Sequence, residues 1–347
     1  MKKIPTTATS RIKPAASHVT TTASPGRIVA LFLNAAALLL CASPAPAQDY
    51  PNHPIRLIVP FAPGSTPDVF ARIVGDKVSQ QIKQPLVIEN RAGAGGNVGT
   101  EMIAKATPDG YTIGASITGP LVNNTVLYKK LPYDPFRDLA PITLGVHQPN
   151  VLAVSPALGV NNMQELFALL KKNPGKYNYA SIGAGSLSHL SVELIKDKTG
   201  TYIVHIPYNS SPAAVTSLIA GDTQIASLAP LAIMPQVAAG RLKALAISTP
   251  QRSPLLPNIP TFREAGILNV EATAWIGVVA PAKTPPAIIE RLNREFVAAL
   301  KDPATAEKLR AQYMDPAPGT PAEFAAFMQA ELARWTPVIK RSGASAE

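Results

Sequence analysis

The chain has 347 residues, 46% of them hydrophobic and 16% charged, with a net charge of +10 and a single cysteine. That cysteine, Cys41, falls in an N-terminal processing segment, so a disulfide framework, a thiol nucleophile and a cysteine-based metal site are all excluded from the mature chain. No Lys/Arg cluster with interleaved aromatics follows, which argues against a nucleic-acid partner.

The processing segment comes first in chain order. Lys2, Lys3, Arg11, Lys13 and Arg27 form a basic region without acidic residues, followed by an apolar run over 28–40 broken only by Asn34. Ala45-Pro46-Ala47 supplies a small-x-small cleavage signal, so residues 1–47 read as a signal peptide cut near Ala47-Gln48. The run is too short for an uncleaved anchor, and Leu40 stands before Cys41 where a lipoprotein needs a small residue. Taking the five leader cations from +10 leaves +5. No later apolar run approaches a membrane span, and a mature chain of about 300 residues can rest on its own hydrophobic core.

Strand-like runs then alternate with helical patterns: 55–60, 85–90, 112–117, 151–154, 177–182, 203–207, 224–229, 242–248 and 273–280. Val69, Ile73, Val78 and Ile82 stripe the first intervening helix; Leu166, Leu169 and Leu170 stripe another over 163–172. The alternation predicts an α/β fold with mostly parallel sheets flanked by helices, and so many strands predict two lobes. Pro250 to Pro260 reads as a loop or inter-lobe linker. After Thr284-Pro285 a helix carries Ile288, Leu292, Phe296 and Leu300 on one face. Thr320-Pro321-Ala322-Glu323 is a capping box opening a last helix, whose Phe324, Phe327 and Trp335 are spaced as core.

Two turns carry the functional signal. Residues 61–68 run from an apolar strand through Gly64, Ser65 and Thr66 into a helix opening on Pro67 and Asp68. Such a turn aims unpaired N–H groups, backed by a helix dipole, at one spot. The donors expected there are the amides of Gly64, Ser65, Thr66 and Asp68, since Pro67 has none; an ordinary βα turn is the alternative. Residues 181–189 repeat the idea with Ser181, Gly183, Gly185, Ser186 and Ser188 before His189. Two such loops across a cleft would grip a carboxylate from both sides, with His189 either touching the ligand or orienting its loop.

Other patterns are weaker. Residues 91–100 resemble a dinucleotide fingerprint, but Val98 stands where glycine is required, so a tight turn packing helix on strand is the better reading. Ser186 lacks the flanking glycines of a nucleophile elbow, and His53, His147, His189 and His205 have no metal-ligand spacing. No metal or other cofactor is expected.

With these segments assembled, the chain resembles the Bug-type periplasmic solute-binding proteins of the tripartite tricarboxylate transporters. The resemblance spans the mature sequence. It rests on Pro60-Phe61-Ala62-Pro63-Gly64 with Asp68, residues 89–97, Pro108-Asp109-Gly110-Tyr111 and residues 128–134. It continues through Tyr179-Ala180-Ser181, Gly185-Ser186, Ser188-His189-Leu190, His205-Ile206-Pro207-Tyr208, Arg252-Ser253-Pro254 and Glu264-Ala265-Gly266.

The resemblance implies a two-lobed Venus flytrap in the periplasm with two hinge crossings: residues 48–148 with 272–347 as one lobe, 149–271 as the other. It implies a receptor, not an enzyme, that binds a di- or tricarboxylate, an aromatic acid or an acidic amino acid. Delivery to membrane permease subunits follows from it; a sensor kinase is an alternative partner, and a hydrolase using Ser186 and His189 the least favoured reading. The expected ligand-binding set is Phe61, Gly64, Ser65, Asp68, Thr118, Ser181, Gly185, Ser186, His189 and Tyr208. Ser65 and Pro67, Leu228, and Asn209-Ser210 depart from common residues of the family, so ligand identity is the least transferable property.

Overall fold

A computed structural model describes residues 50–270, 272–343 and 345. The leader and its cleavage site lie outside the described residues. The chain begins with strand β1 (Ile55–Val59), helix α1 (Thr66–Ile82), strand β2 (Leu86–Asn90), helix α2 (Asn97–Ala104) and strand β3 (Thr112–Ile117). A π-helical turn at Gly119–Asn123 and the short helix α3 (Asn124–Leu127) lead to strand β4 (Leu139–Gln148).

The chain then passes to a second sheet. Strand β5 (Val151–Val154), helix α4 (Met163–Lys172), strand β6 (Asn178–Ser181), helix α5 (Leu187–Thr199) and strand β7 (Val204–Pro207) open it. Helix α6 (Ser211–Ala220), strand β8 (Ile225–Leu228), helix α7 (Pro230–Ala238) and strand β9 (Lys243–Ile247) complete it. After a long loop the chain returns through strand β10 (Ala274–Pro281), helices α8 (Pro286–Lys301) and α9 (Pro303–Arg310), strand β11 (Asp315–Pro316) and helix α10 (Pro321–Ser342).

The first sheet has the order β11-β4-β10-β3-β1-β2 and the second β7-β6-β8-β5-β9. The α/β, two-sheet expectation holds, but the sheets are mixed. Parallel pairing joins β1 to β2 and β3, and β6 to β7 and β8. Pairs of β10 with β3 and β4, β11 with β4, and β5 with β8 and β9 are antiparallel. The chain changes sheet from β4 to β5 with only Pro149 and Asn150 between.

The longest strand, β4, was not anticipated because Pro141 and Gly145 interrupt its pattern. Its partner β11 pairs only with Val146 and His147, so Pro141 lies on an open edge where its missing N–H is tolerated. Gly145 is required from below, since a Cβ there would stand 2.5 Å from Phe70 Cζ.

Helix faces follow the core. On α1 the buried face is Phe70, Ala71, Val74, Val78 and Ile82, so Val69 and Ile73 of the expected stripe sit at its margin. On α4 Leu166 and Leu170 are buried and Leu169 half-buried. The capping box forms on α10, where Thr320 Oγ1 accepts from the Glu323 amide at 3.1 Å and Glu323 Oε2 from the Thr320 amide at 2.8 Å. This helix serves both sheets. Phe324 and Met328 join a core cluster with Trp275 of β10, whereas Trp335 and Ile339 pack with Leu187 and Leu190 of α5.

Candidate functional site

The strand-to-helix turns of both sheets meet at one cavity. Phe61, Ser65, Thr66, Pro67 and Thr118 line it from the first sheet; Ile182, Leu187, Ser188, Ser210 and Ser211 line it from the second. Gln148 and Asn150, at the passage between sheets, form part of its wall with Trp275 and Leu228. Among the described residues, none that lines this cavity carries an ionisable side chain.

Both turns are locked by internal hydrogen bonds. In the first, the buried Asp68 carboxylate accepts from the Gly64 amide (2.9 Å), Asn90 Nδ2 (3.0 Å) and the Arg72 guanidinium (2.9 and 3.1 Å). Burial pushes its pKa up, but these donors outweigh burial and hold it below the ordinary aspartate value. Asn90 Nδ2 also donates to the Phe61 carbonyl at 2.9 Å, pinning the loop at both ends. The Ser65 amide closes the turn onto the Ala62 carbonyl at 3.2 Å.

In the second turn, Ser186 caps α5 by accepting from the His189 amide and donates its own proton to the Gly183 carbonyl at 2.6 Å. The Gly185 amide donates to His189 Nδ1 (3.1 Å), and the Ser186 amide to the Gly183 carbonyl (3.2 Å). Ser181 Oγ sits 2.6 Å from His205 Nε2 and accepts from the Gly183 amide at 3.1 Å. Beneath the loop the rings of His189, His205 and Tyr179 stack, the two imidazoles 4.1 Å apart. Burial drives both histidines toward the neutral form: His189 is pushed down to about 4, helped by nearby Lys196, and His205 to about 3, helped by His189.

Of the four amides expected as donors in the first turn, those of Gly64 and Ser65 are bonded within the turn and those of Thr66 and Asp68 are not. The amides of Gly64, Ser65, Gly185 and Ser186 are each spent on closing their own turn, and Asp68 serves as a lock, not as a group facing the cavity. Among the described residues, the amides of Thr66, Asp68, Leu187 and Ser188 at the starts of the two helices have no protein acceptor. The cap residue and its predecessor build the turn, and the orphan donors belong to the first helical positions. Ser181, Gly185, Ser186 and His189 support the loop from behind, and Tyr208 does not line the cavity. Thr66 and Ser188 belong to the two turns anticipated from sequence; Leu187, Gln148, Asn150 and Trp275 are among the lining residues that sequence reasoning did not single out.

The second loop also touches other turns of the first sheet. Asn123 Nδ2 donates to the Gly185 carbonyl at 3.0 Å, and a Cβ on Gly95 would lie 3.2 Å from the Ala184 carbonyl. The glycine turn after β2 packs helix on strand as expected, since a Cβ on Gly99 would be 2.7 Å from both Pro60 Cα and the Arg91 carbonyl. It also abuts the second loop.

A nucleophile–base pair is absent from this geometry. Ser186 Oγ donates to a carbonyl and His189 Nδ1 accepts a main-chain N–H, so neither activates the other.

Two sheets thus each present helix N-termini to one shared cavity without ionisable side chains in its lining. Comparison with known proteins is specific. The family described as "Tripartite tricarboxylate transporter family receptor" matches residues 70–344, and the chain belongs to that family. It is 36% identical to Protein BugT of Bordetella pertussis over 318 residues, covering 91% of this chain and 97% of that one. Among solved structures, Rpa4515 of R. palustris with adipate superposes with a TM-score of 0.83 at 33% identity, over 85% of this chain and 99% of the other. MatC of Rhodopseudomonas palustris with bound malate gives 0.78 at 28% identity, over 84% and 100%. Members of the family are solute-binding proteins and not enzymes.

Proposed function

We propose that this protein is an extracytoplasmic receptor that captures a small carboxylate between its lobes and hands it to the permease subunits of a tripartite transporter. The observation that carries the reading is the set of free amides at Thr66, Leu187 and Ser188, which reach one cavity from two sheets. Each sits in the first turn of a helix, where the macrodipole favours an anion. Malate and adipate in the two relatives support a carboxylate.

In this reading residues 1–47 are removed on export. The lobe of residues 48–148 and 272–347 rotates against residues 149–271, about crossings at Pro149 and in the loop between β9 and β10. The described arrangement, with both turns lining one cavity, corresponds in this reading to the closed form, and entry requires opening. Because donors come from both lobes, the ligand binds the closed form better and shifts the population toward it.

The test is a thermal-shift screen of the mature protein against small carboxylic acids and their primary amides. A ligand at 100 times its Kd stabilises by about 2.7 kcal/mol, and only the acids should do so. Thr66→Pro then removes one amide at a first helical position that tolerates proline. A charge-assisted hydrogen bond is worth about 1.5–3 kcal/mol, so acid affinity should fall at least tenfold with the fold intact. Equal stabilisation by the amides, or unchanged affinity in Thr66→Pro, would refute the reading.

A further inference from the structure

We infer that the ligand is an acid with a long unbranched apolar tail, which leaves the cavity between Thr66 and Ser211 and lies in a groove between α6 and α7. This rests on the carboxylate reading above and names the class of acid.

The groove is built by two helices that both start at the cavity. Ser210 and Ser211 line the cavity where α6 opens, and Leu228 and Ala229 line it just before α7. From there Ser211, Val215 and Ile219 recur every fourth residue and share one face of α6. Leu231, Ala232 and Pro235 supply the wall from α7. At the helical rise per residue, the wall from Ser211 to Ile219 runs about 12 Å, the length of an extended decanoate.

Cavity and groove meet at their inner ends. Thr66 of α1 and Ser211 of α6 line both. Their side chains are small, and neither hydroxyl is engaged by another described residue. No hydrogen bond of this pair has to break for a chain to pass between them. The Thr66 amide is one of the free donors of the carboxylate reading, so an anion held there sits at the head of the groove. In the lobe division proposed above, Thr66 and Ser211 stand on opposite sides. A tail between them therefore adds to the preference for the closed form.

The lining suits a hydrocarbon. Among the described residues, none that lines the groove is ionisable, and its polar side chains are Thr66, Ser211, Thr216 and Gln236. Val215 is buried, whereas Ile219 at the outer end is 42% exposed. The fold leaves that isoleucine uncovered in line with an apolar groove, and a tail laid over it gains by removing both from water.

The experiment is calorimetric titration of the mature protein with unbranched alkanoates from hexanoate to dodecanoate, below their micellar concentrations, with malate and adipate as compact acids. Full burial of a methylene raises affinity about fourfold, and the groove is open on one side, so affinity should rise about two- to threefold per methylene. The rise should continue as far as decanoate and then level off, with one acid bound per protein. Ile219→Asp, at an exposed position, should weaken decanoate about fivefold or more by placing a charge against the tail, and leave hexanoate within about twofold. Leu268→Asp is the control, since Leu268 is exposed and apolar but lines neither groove nor cavity; it should alter neither acid. Affinity that stays flat or falls with chain length overturns the inference, as does decanoate binding that ignores Ile219→Asp or responds equally to Leu268→Asp. Compact acids that bind in any of those cases leave the carboxylate reading standing. If neither compact nor long acids bind, the carboxylate reading itself falls, and this inference with it.

Discussion

Gly185 allows the proposed lobe closure to be tested apart from stability. Its φ of +79° lies in the left-handed region, where an L residue costs about 1–2 kcal/mol. That strain would weigh on the loop whether the lobes are open or closed. A Cβ there would also stand 2.5 Å from Leu127 Cδ1 and run into Asn124 Oδ1, neighbours contributed by the short helix after β3. Overpacking of this kind costs about 1–3 kcal/mol, and it arises only where the second loop docks. Gly185→Ala should therefore weaken binding of the tightest acid found by thermal shift about 5- to 150-fold, beyond a stability loss of about 1–2 kcal/mol from the φ strain. Gly64→Ala is the control: φ is +76°, but nothing stands within 4 Å of the added Cβ. It should show the stability loss of about 1–2 kcal/mol alone. Titration calorimetry and urea unfolding on both variants separate the two effects. If Gly185→Ala behaves like Gly64→Ala, the contact with Asn124 and Leu127 is not specific to the ligand-holding state.

Acid should loosen the molecule through its stacked histidines. Both have folded pKa values, about 4 for His189 and about 3 for His205, below the ordinary 6.5. The unfolded chain therefore binds protons that the folded chain refuses, and stability falls as pH drops from 6.5 toward 4. In urea titrations between pH 7 and 4.5, His205→Phe should lower the slope by about one proton's share, roughly 1.4 kcal/mol per pH unit; an unchanged slope would show that the pair does not govern it. Glu331 gives a prediction on stability. Its Oε2 accepts from Trp275 Nε1 at 3.0 Å and Trp335 Nε1 at 3.1 Å, joining indoles from two core clusters. Glu331→Ala leaves two buried N–H groups without an acceptor, and urea unfolding should show a loss of roughly 2–5 kcal/mol. Glu331→Gln keeps an acceptor and should lose much less.

Elements written in short-range pattern were legible. The nine anticipated strands all form, because turn chemistry and apolar runs mark them locally, and the capping box on α10 is a four-residue signal that its helix obeys. What escaped was set by neighbours distant in sequence. β4 tolerates Pro141 because β11, far down the chain, pairs with only two of its residues, and it needs Gly145 because Phe70 lies beneath. The mixed sheet order likewise follows from which strand the returning chain finds free. A local pattern carries neither fact.

The site divides along the same line, and the division explains its chemistry. A glycine turn running into a helix can be read directly, and it locates both loops. Which amides remain free depends on what closes each turn, and here a buried aspartate does so in one loop and a histidine in the other. Those two side chains are ionisable, yet neither serves as a counter-charge: each consumes the amide that would otherwise compete and so fixes the orientation of the next ones. The result is a set of free dipoles facing a cavity whose lining carries no ionisable side chain, which is what the proposed anion site uses. The acid sensitivity worked out above therefore belongs to the scaffold behind the loop. Between pH 7 and 5 the intrinsic affinity for a fully ionised acid should stay level while the stability of the protein declines.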